Sequence, residues 1–507
     1  MPQFSPDEAR AELDRLAPLT DRLAQAFGAA GHSLFLVGGP VRDAFLGQTS
    51  ADLDFTTSAR PDQIEAVLRR LGGPIWDVGR QFGTIGTRLK SERRAWQVEV
   101  TTFRADTYRD DSRKPEVRFG DTIEADLRRR DFTINAMAVD LSVPAPTTGP
   151  TTAPERAAEA GPTRPGAGRI KLIDPFGGLR DLKAGLIRTP AAPQESFSDD
   201  PLRMLRAARF AARLGFRPAP EVVRAMMDLT DRLDIVSAER VRDELTKLLL
   251  SERPRVGLDL MVRTGLADRF LPELPALRLE IDEHHRHKDV YEHSLTVLDQ
   301  AIALERERGQ APDIVDRLAA LLHDIGKPKT RRFEADGKVS FHHHDVVGAK
   351  LARKRLTALR YPSDQIDSVA RLIELHLRFH GYGDGQWTDS AVRRYVRDAG
   401  PELERLHILT RSDCTTRNQA KATRLRRAYE ELEWRIDELS QQEELDSIRP
   451  DLDGHQIMAV LGLGPGPAVG QAYDFLLELR LERGPLGAEA AEAELRRWWA
   501  ERSSAAD

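Results

Sequence analysis

The chain has 507 residues, 40% of them hydrophobic and 31% charged, with a formal net charge of −5. That size suggests about three or four domains, the composition is that of a folded soluble chain, and no apolar run approaches the roughly 20 residues a membrane span needs. One cysteine, Cys414, excludes an internal disulfide and a thiolate zinc cluster and fits a reducing cytoplasm. The opening MPQFSPDEAR lacks the basic and apolar regions of a secretory signal. The acidic total argues weakly against a nucleic-acid binder, although a local basic patch can still serve a large RNA.

Residues 7–30 read as an amphipathic helix, and 33–37 (SLFLV) as a short buried strand running into a glycine turn. Strand-like runs follow at 52–57, 84–89 and 96–103, with helical patterns between some of them, so a mixed α/β domain is expected up to about residue 190. Residues 143–168 are almost all Pro, Ala, Thr, Gly and charge. Such a stretch cannot bury enough apolar area to order itself, and it reads as a disordered insert between strands at 136–141 and 170–173. From about 196 the chain turns helical: a first block at 201–275, a histidine-rich block at 284–415, and a charged block at 416–507 broken by GLGPGP at 462–467.

The first chemical signal is LVGGPVRDAFLG (36–47), followed by Asp52 and Asp54. A strand, then Gly38 and Gly39, then a helix start leaves bare backbone N–H groups that suit a phosphate. Arg42 can pair with a phosphate oxygen. Residues i and i+2 of a strand share a face, so Asp52 and Asp54 project together, as two carboxylates must to share Mg²⁺. Taken singly, these are a glycine turn and surface acids; together, in this order, they suggest phosphoryl transfer.

With DLRRRDFTINAMA (126–138) and SDDPLRMLRAAR (198–209), these motifs resemble the class II tRNA nucleotidyltransferase and poly(A) polymerase family across nearly the whole chain. The resemblance implies an α+β protein: a DNA polymerase β-like nucleotidyltransferase head (1–190), then all-α neck (191–280), HD (281–415) and tail (416–507) domains. It implies Glu99 as a third carboxylate beside Asp52 and Asp54, Arg130 on the triphosphate, and Asp131 and Asn135 around the sugar. It also implies Asp200 and Arg203 as the base readers, with 239–242 (ERVR) buttressing their helix.

Chemistry explains the choice of Asp and Arg. Cytosine and adenine each show an amino donor beside a ring-nitrogen acceptor, which a carboxylate and a guanidinium can satisfy. Guanine and uracil reverse both polarities, and each buried group left unpaired costs about 1–3 kcal/mol. Pro201 suits a first helical position with Asp200 as N-cap. Arg203, Arg206, Arg209, Arg213 and Arg217, at spacings of 3, 3, 4 and 4, are expected to form one helical stripe. On it, Arg206 and Arg209 would reach phosphates or a growing 3′ end; otherwise the stripe is a solvated face.

The family members differ in product. Residues 78–85, VGRQFGTI, lack the basic Arg-Arg-Phe-Arg type segment of bacterial poly(A) polymerases. The expected activity is therefore CCA addition to tRNA from CTP and ATP, with A-only, CC-only or poly(A) addition as alternatives.

A second set, His293, His323-Asp324, His344, His376 and Asp413, follows the order of HD-superfamily phosphohydrolases. Imidazole and carboxylate together suit Mn, Fe, Ni or Zn and leave Mg open. Of three adjacent histidines the pattern FxxHxxxGA selects His344 over His342 and His343. His284, His285 and His287 read as surface or RNA-contact residues. The resemblance implies phosphatase or 2′,3′-cyclic phosphodiesterase activity, or a structural metal. In the tail, Arg417, Lys421, Arg424, Arg426 and Arg427, and a helix start after 462–470, are candidates for tRNA backbone contact, against an ordinary helical bundle. The rival readings are an HD phosphohydrolase with a nucleotide-sensing head and a non-catalytic tRNA binder. No membrane association is expected, and protein partners cannot be read from the sequence.

Overall fold

The computed structural model describes residues 4–91, 94–104, 119–142, 171–278, 289–335, 339–381, 388–414, 419–443 and 448–504. They fall in two compact units, Met1–Phe270 and Leu271–Asp507. The expected insert 143–168, the three histidines at 284–287 and Arg417 lie outside the described residues, as does the Lys421 side chain.

In the first unit, Ser5 accepts the Glu8 N–H and Pro6 opens α1 (Pro6–Ala29), as Ser caps and first-turn prolines do. A seven-stranded sheet follows, in the order β3-β4-β5-β2-β1-β6-β7. Its strands are β1 (Leu34–Val37), β2 (Asp52–Thr57), β3 (Ile75–Trp76), β4 (Thr84–Ser91), β5 (Arg94–Thr102), β6 (Ala138–Asp140) and β7 (Leu172–Ile173). Between them lie α2 (Gly39–Phe45), α3 (Pro61–Arg70) and α4 (Ile123–Arg128). β1 is buried throughout. In β2 and β5, Leu53, Phe55, Trp96, Val98 and Val100 point to the core, so the period of two turns Asp52, Asp54 and Glu99 to the other face.

The expected strand at 136–141 shortens to β6, because Thr133–Asn135 winds into a 3-10 turn. Of the expected 170–173 strand, Leu172 and Ile173 pair with β6.

The neck helices are α5 (Gly178–Ala184), α6 (Pro193–Asp199), α7 (Leu202–Leu214), α8 (Pro220–Asp228), α9 (Ala238–Leu249), α10 (Pro254–Arg263) and α11 (Leu266–Phe270). The Asp200 carboxylate accepts the Leu202 N–H at 3.2 Å, and Pro201 already has helical dihedrals, as the capping reading requires. The stripe is shorter than expected. Gly215, at φ 71°, ends α7, so Arg217 lies on a short strand, Arg217–Pro218, instead of the helix.

The second unit is helical apart from a two-stranded ribbon, Arg332–Phe333 with Val339–Ser340. Its helices are α12 (Val290–Glu307), α13 (Ile314–Leu322), α14 (Lys327–Thr330), α15 (His344–Ala358), α16 (Ser363–Leu375), α17 (Arg378–Gly381), α18 (Asp389–Ala399), α19 (Leu403–Asp413), α20 (Gln419–Gln442), α21 (Gly454–Leu461), α22 (Pro467–Arg483) and α23 (Ala488–Ser504). α12, α13, α16 and α19 pack around the histidines. The last three helices share an apolar core that includes Leu452, Ile457, Leu476 and Leu495. No helix among the described residues is long and apolar enough to cross a membrane.

Candidate functional site

β2 and β5 run parallel with Asp54 opposite Glu99 and Asp52 opposite Gln97. Asp52 and Asp54 are exposed and Glu99 half-buried, on a common face. Among the described residues no cation forms an ion pair with these three carboxylates. Although the Asp54 side chain reaches solvent, the atoms packed around its carboxyl raise it above the ordinary range; Arg130 opposes the rise, and Glu99 and Asp52 add to it.

Beside the carboxylates, Gly38 adopts φ 75°, and a Cβ there would stand 2.9 Å from the Arg130 Nη1. The glycine thus keeps open both a left-handed turn and the space beside a guanidinium. Arg130 and Arg129 are anchored on the fully buried Asp126, at 3.3 and 2.8 Å. Gly39 follows as the first residue of α2.

Arg42 is buried. Its Nη1 donates to Asn135 Oδ1 at 2.6 Å, and its Nε donates to Asp43 Oδ1 at 2.8 Å. Asn135 in turn donates to Asp131 at 3.0 Å. Arg206, from α7, reaches Asp131 at 2.8 Å through Nε and 2.5 Å through Nη2. Burial pushes the Asp131 carboxyl up, but Arg206, Asn135 and Arg203 more than reverse it and hold it below the usual range. Arg42 and Arg206 are therefore held in a buried network that ties the head to α7. Burial lowers the Arg209 guanidinium to about 10 against the pull of Glu244, whose carboxylate lies 2.8 Å from Arg209 Nε.

The two expected base readers hold different partners. Arg203 donates to Ser196 Oγ at 2.8 Å, to the Ser196 carbonyl at 3.3 Å and to the Arg129 carbonyl at 2.6 Å. Asp200 receives Arg240 at 3.2 Å. Of the 239–242 motif it is thus Arg240 that touches the helix start, while Arg242 pairs with Asp243. The sequence reading named the 239–242 segment as a buttress without singling out Arg240, and it missed Asp43, Ser196 and Glu244 as partners. The available signal was slight: Arg240 and Glu244 stand four residues apart, on one face of α9.

In the second unit all six expected residues converge. Asp413 lies 2.9 Å from His293 Nε2, and the His293 and His323 Nε2 atoms are 3.3 Å apart. Asp324 offers Oδ2 to His323 at 3.3 Å and Oδ1 to His344 at 3.4 Å. The His344 and His376 rings are 5.3 Å apart. Among the described residues, the sets His293-His323-Asp324 and Asp324-His344-His376 have ligand atoms within 4.8 Å of one another; the head carboxylates are a looser group.

Three imidazoles share one device. Nδ1 of His323, His344 and His376 faces a backbone carbonyl three residues earlier, at 2.9, 2.7 and 2.6 Å. With the Nδ1 proton so placed, a neutral ring keeps its Nε2 lone pair for a metal, and a protonated ring gains that lone pair only by losing its second proton. Burial lowers His376 to about 4, so it stays neutral. His323 is lowered by burial but raised more by Asp324 and Asp413, to about 9. His342 and His343 are exposed and His344 is buried, as the pattern match anticipated. Lys327, which sequence reasoning overlooked, reaches Asp324 Oδ2 at 2.6 Å.

An A-adding tRNA nucleotidyltransferase of Deinococcus radiodurans is 34% identical over 474 residues, covering 91% of this chain and 95% of that protein. The chain belongs to the tRNA nucleotidyltransferase family. A CC-adding tRNA nucleotidyltransferase of Thermus thermophilus is 32% identical over 478 residues, 92% of this chain and 93% of its own. Within this family member, residues 34–188 match the Poly A polymerase head domain and 290–418 the HD domain. Residues 215–277 match the domain described as "Probable RNA and SrmB- binding site of polymerase A". A Bacillus stearothermophilus CCA-adding enzyme solved in complex with CTP superposes with a TM-score of 0.66 at 23% identity, over 96% of this chain and 98% of that one. At that identity the likeness attests the fold. Head, RNA-binding and HD parts occur in the expected order, and the chain is a nucleotidyltransferase.

Proposed function

We propose that this nucleotidyltransferase builds or repairs the CCA end of tRNA from CTP and ATP without a nucleic-acid template. The observation that carries the reading is Arg130, which lies against Gly38 and acts electrostatically on Asp54. A triphosphate on the glycine turn would meet this guanidinium at one side and the carboxylate face at the other. Three carboxylates that form no ion pair among the described residues suit Mg²⁺; when bound, Mg²⁺ would help activate the attacking 3′ oxygen and neutralise the leaving pyrophosphate. Asp52, Asp54 and Glu99 would hold it. Gly38, Gly39 and Arg130 would orient the triphosphate, with Arg42 fixing the turn from behind.

Asp200 and Arg203 would read the base. A carboxylate accepts the amino group of cytosine or adenine, and a guanidinium donates to the adjacent ring nitrogen. Arg206 and Arg209 shape the pocket through Asp131 and Glu244. We assign 1–190 to the head, 191–280 to the neck, 281–415 to the HD domain and 416–507 to a tail that grips tRNA phosphates, in the cytoplasm. The six-residue HD cluster would hold a divalent metal, Mn, Fe, Ni, Zn or Mg, for phosphomonoester or cyclic phosphodiester hydrolysis.

A second reading has its own support: the two relatives quoted over nearly full length are an A-adding and a CC-adding enzyme. Three tRNAs, ending before CCA, after C and after CC, separate the readings when offered labelled CTP or ATP. Incorporation of C, C and A supports complete addition. Incorporation confined to the first two, or to the last, assigns a partial enzyme. Long A tails on unrelated RNA would overturn both.

A further inference from the structure

We propose that Trp76 and Arg88 form a track for the unpaired 3′ end of the acceptor RNA, with the Trp76 indole stacking on one of its last two bases. The inference rests on the tRNA-end reading given above and extends it to the strand that supplies the attacking oxygen.

One register row crosses four strands of the head sheet. Asp54 lies opposite Glu99, Glu99 opposite Gly86, and Gly86 opposite Trp76. Residues directly opposite one another share a sheet face, so Trp76 stands on the carboxylate face, on the edge strand β3. Strands lie about 4.8 Å apart, which sets the Trp76 backbone roughly 10 Å from that of Glu99. Gly86 lets the indole reach inward across this gap. It is buried, and a Cβ there would fall on Nε1 and Cε2 of Trp76 and 2.7 Å from Cζ2. The indole therefore covers Gly86, in the place beside Glu99, and is itself only half-buried. The neighbouring row carries Asp52, Gln97 and Arg88. Gln97 approaches Glu99 at 3.5 Å, and Arg88 is exposed.

The face thus passes from three carboxylates to an aromatic ring and a cation. A 3′ oxygen that attacks beside the carboxylates must bring its own nucleotide, and the one before it, onto this surface. Their phosphates meet a row of acids, and Arg88 supplies the compensating charge. Their bases need a support that does not choose among them. A tRNA ending before CCA ends in whatever base precedes it, whereas the later acceptors end in C. An aromatic ring accepts all of these, because every base has a π face, whereas a hydrogen-bonding group would favour some over others. A Trp76 that merely covered Gly86 would need only apolar bulk.

The test compares wild type with Trp76→Ala, Trp76→Leu, Trp76→Phe and Arg88→Ala. It measures single-turnover incorporation into whichever tRNA acceptor wild type extends, intact or carrying an abasic ribose at the last or last-but-one position, alongside Tm and the KM for nucleotide and acceptor. Trp76→Ala is expected to lower incorporation about tenfold, equivalent to about 1.4 kcal/mol, with the nucleotide KM unchanged. Trp76→Phe should restore most of it and Trp76→Leu should not. At one of the two positions the abasic ribose should cost wild type about tenfold and Trp76→Ala nothing further, since the two changes remove the same contact. Arg88→Ala should raise the acceptor KM and flatten its salt dependence.

Equal rescue by leucine and phenylalanine would reduce Trp76 to a cover for Gly86 and overturn the stacking, even if Trp76→Ala fails to fold. Additive losses at both abasic positions would overturn it as well, and an unaltered acceptor KM in Arg88→Ala would overturn the track. In each of these cases wild type still extends tRNA, and only this inference fails. If wild type extends none of the tRNA acceptors, the tRNA-end reading fails with it.

Discussion

Asp54 and Glu99 are register partners across the parallel seam between β2 and β5. Because both backbones are fixed by the sheet, the two side chains leave the same face from adjacent positions, where like charges oppose each other's ionisation.

Removing that face should abolish transfer while sparing the fold. Asp52→Ala and Asp54→Ala are each expected to lower CMP or AMP incorporation by about a thousandfold or more, the scale of losing a principal charge-stabilising group. Thermal melting should be unchanged or slightly raised. Unaltered incorporation in either variant would remove the head site from the reaction.

Breaking the link between head and α7 should cost stability. Asp131→Ala leaves Arg206 and Asn135 without their shared acceptor, and loss of one member of a buried pair costs about 3 kcal/mol. Because the folded Asp131 carboxyl lies below its ordinary value of 3.8, its contribution is present above that pH and fades as pH falls below it. Urea melts at pH 7 and pH 3.5 should show the gap between wild type and variant narrowing in acid.

Asp316 predicts the opposite pH slope. Burial raises it to about 7, with Asp313, Glu305 and Glu402 adding to the rise and Arg405 opposing it; its Oδ1 has no hydrogen-bond partner. The folded state holds this proton more tightly than the unfolded chain. The resulting stabilisation is full below pH 3.8 and is lost as pH rises towards 7. Asp316→Asn should therefore gain on the order of 2 kcal/mol over wild type at pH 8 relative to pH 4. Equal differences at both pH values would contradict the assignment.

The histidine cluster should register metal as stability. Addition of Mn²⁺ or Zn²⁺ to chelated protein at about 100 times the dissociation constant gives about 2.7 kcal/mol, a rise of several degrees in Tm. His376→Ala should lose that rise. Gly326→Ala should do so as well, because its Cβ would fall 2.1 Å from the His344 carbonyl oxygen. Chelation followed by readdition of Mg²⁺ alone should leave nucleotidyl transfer at the head intact.

Local pattern made much of this visible in the chain itself. The period of two aligned Asp52 with Asp54. Glycine chemistry marked the turn at Gly38. Asp200 before Pro201 announced a helix start, and the FxxHxxxGA frame picked His344 from three neighbouring histidines. These are short-range relations, written wherever backbone geometry repeats.

The tertiary structure decided what long-range packing alone can fix. It set Glu99 against Asp54 by strand register, and it turned the Nδ1 atoms of three histidines onto backbone carbonyls. It also bound Arg206 to Asp131 and Arg209 to Glu244, and it ended α7 before Arg217. A charge stripe on one helix says nothing about which acids face it, because those acids arrive from segments dozens of residues away. Pairing across such distances is set by how the helices and sheet bury their apolar faces, and charged groups must then satisfy one another where that packing leaves them.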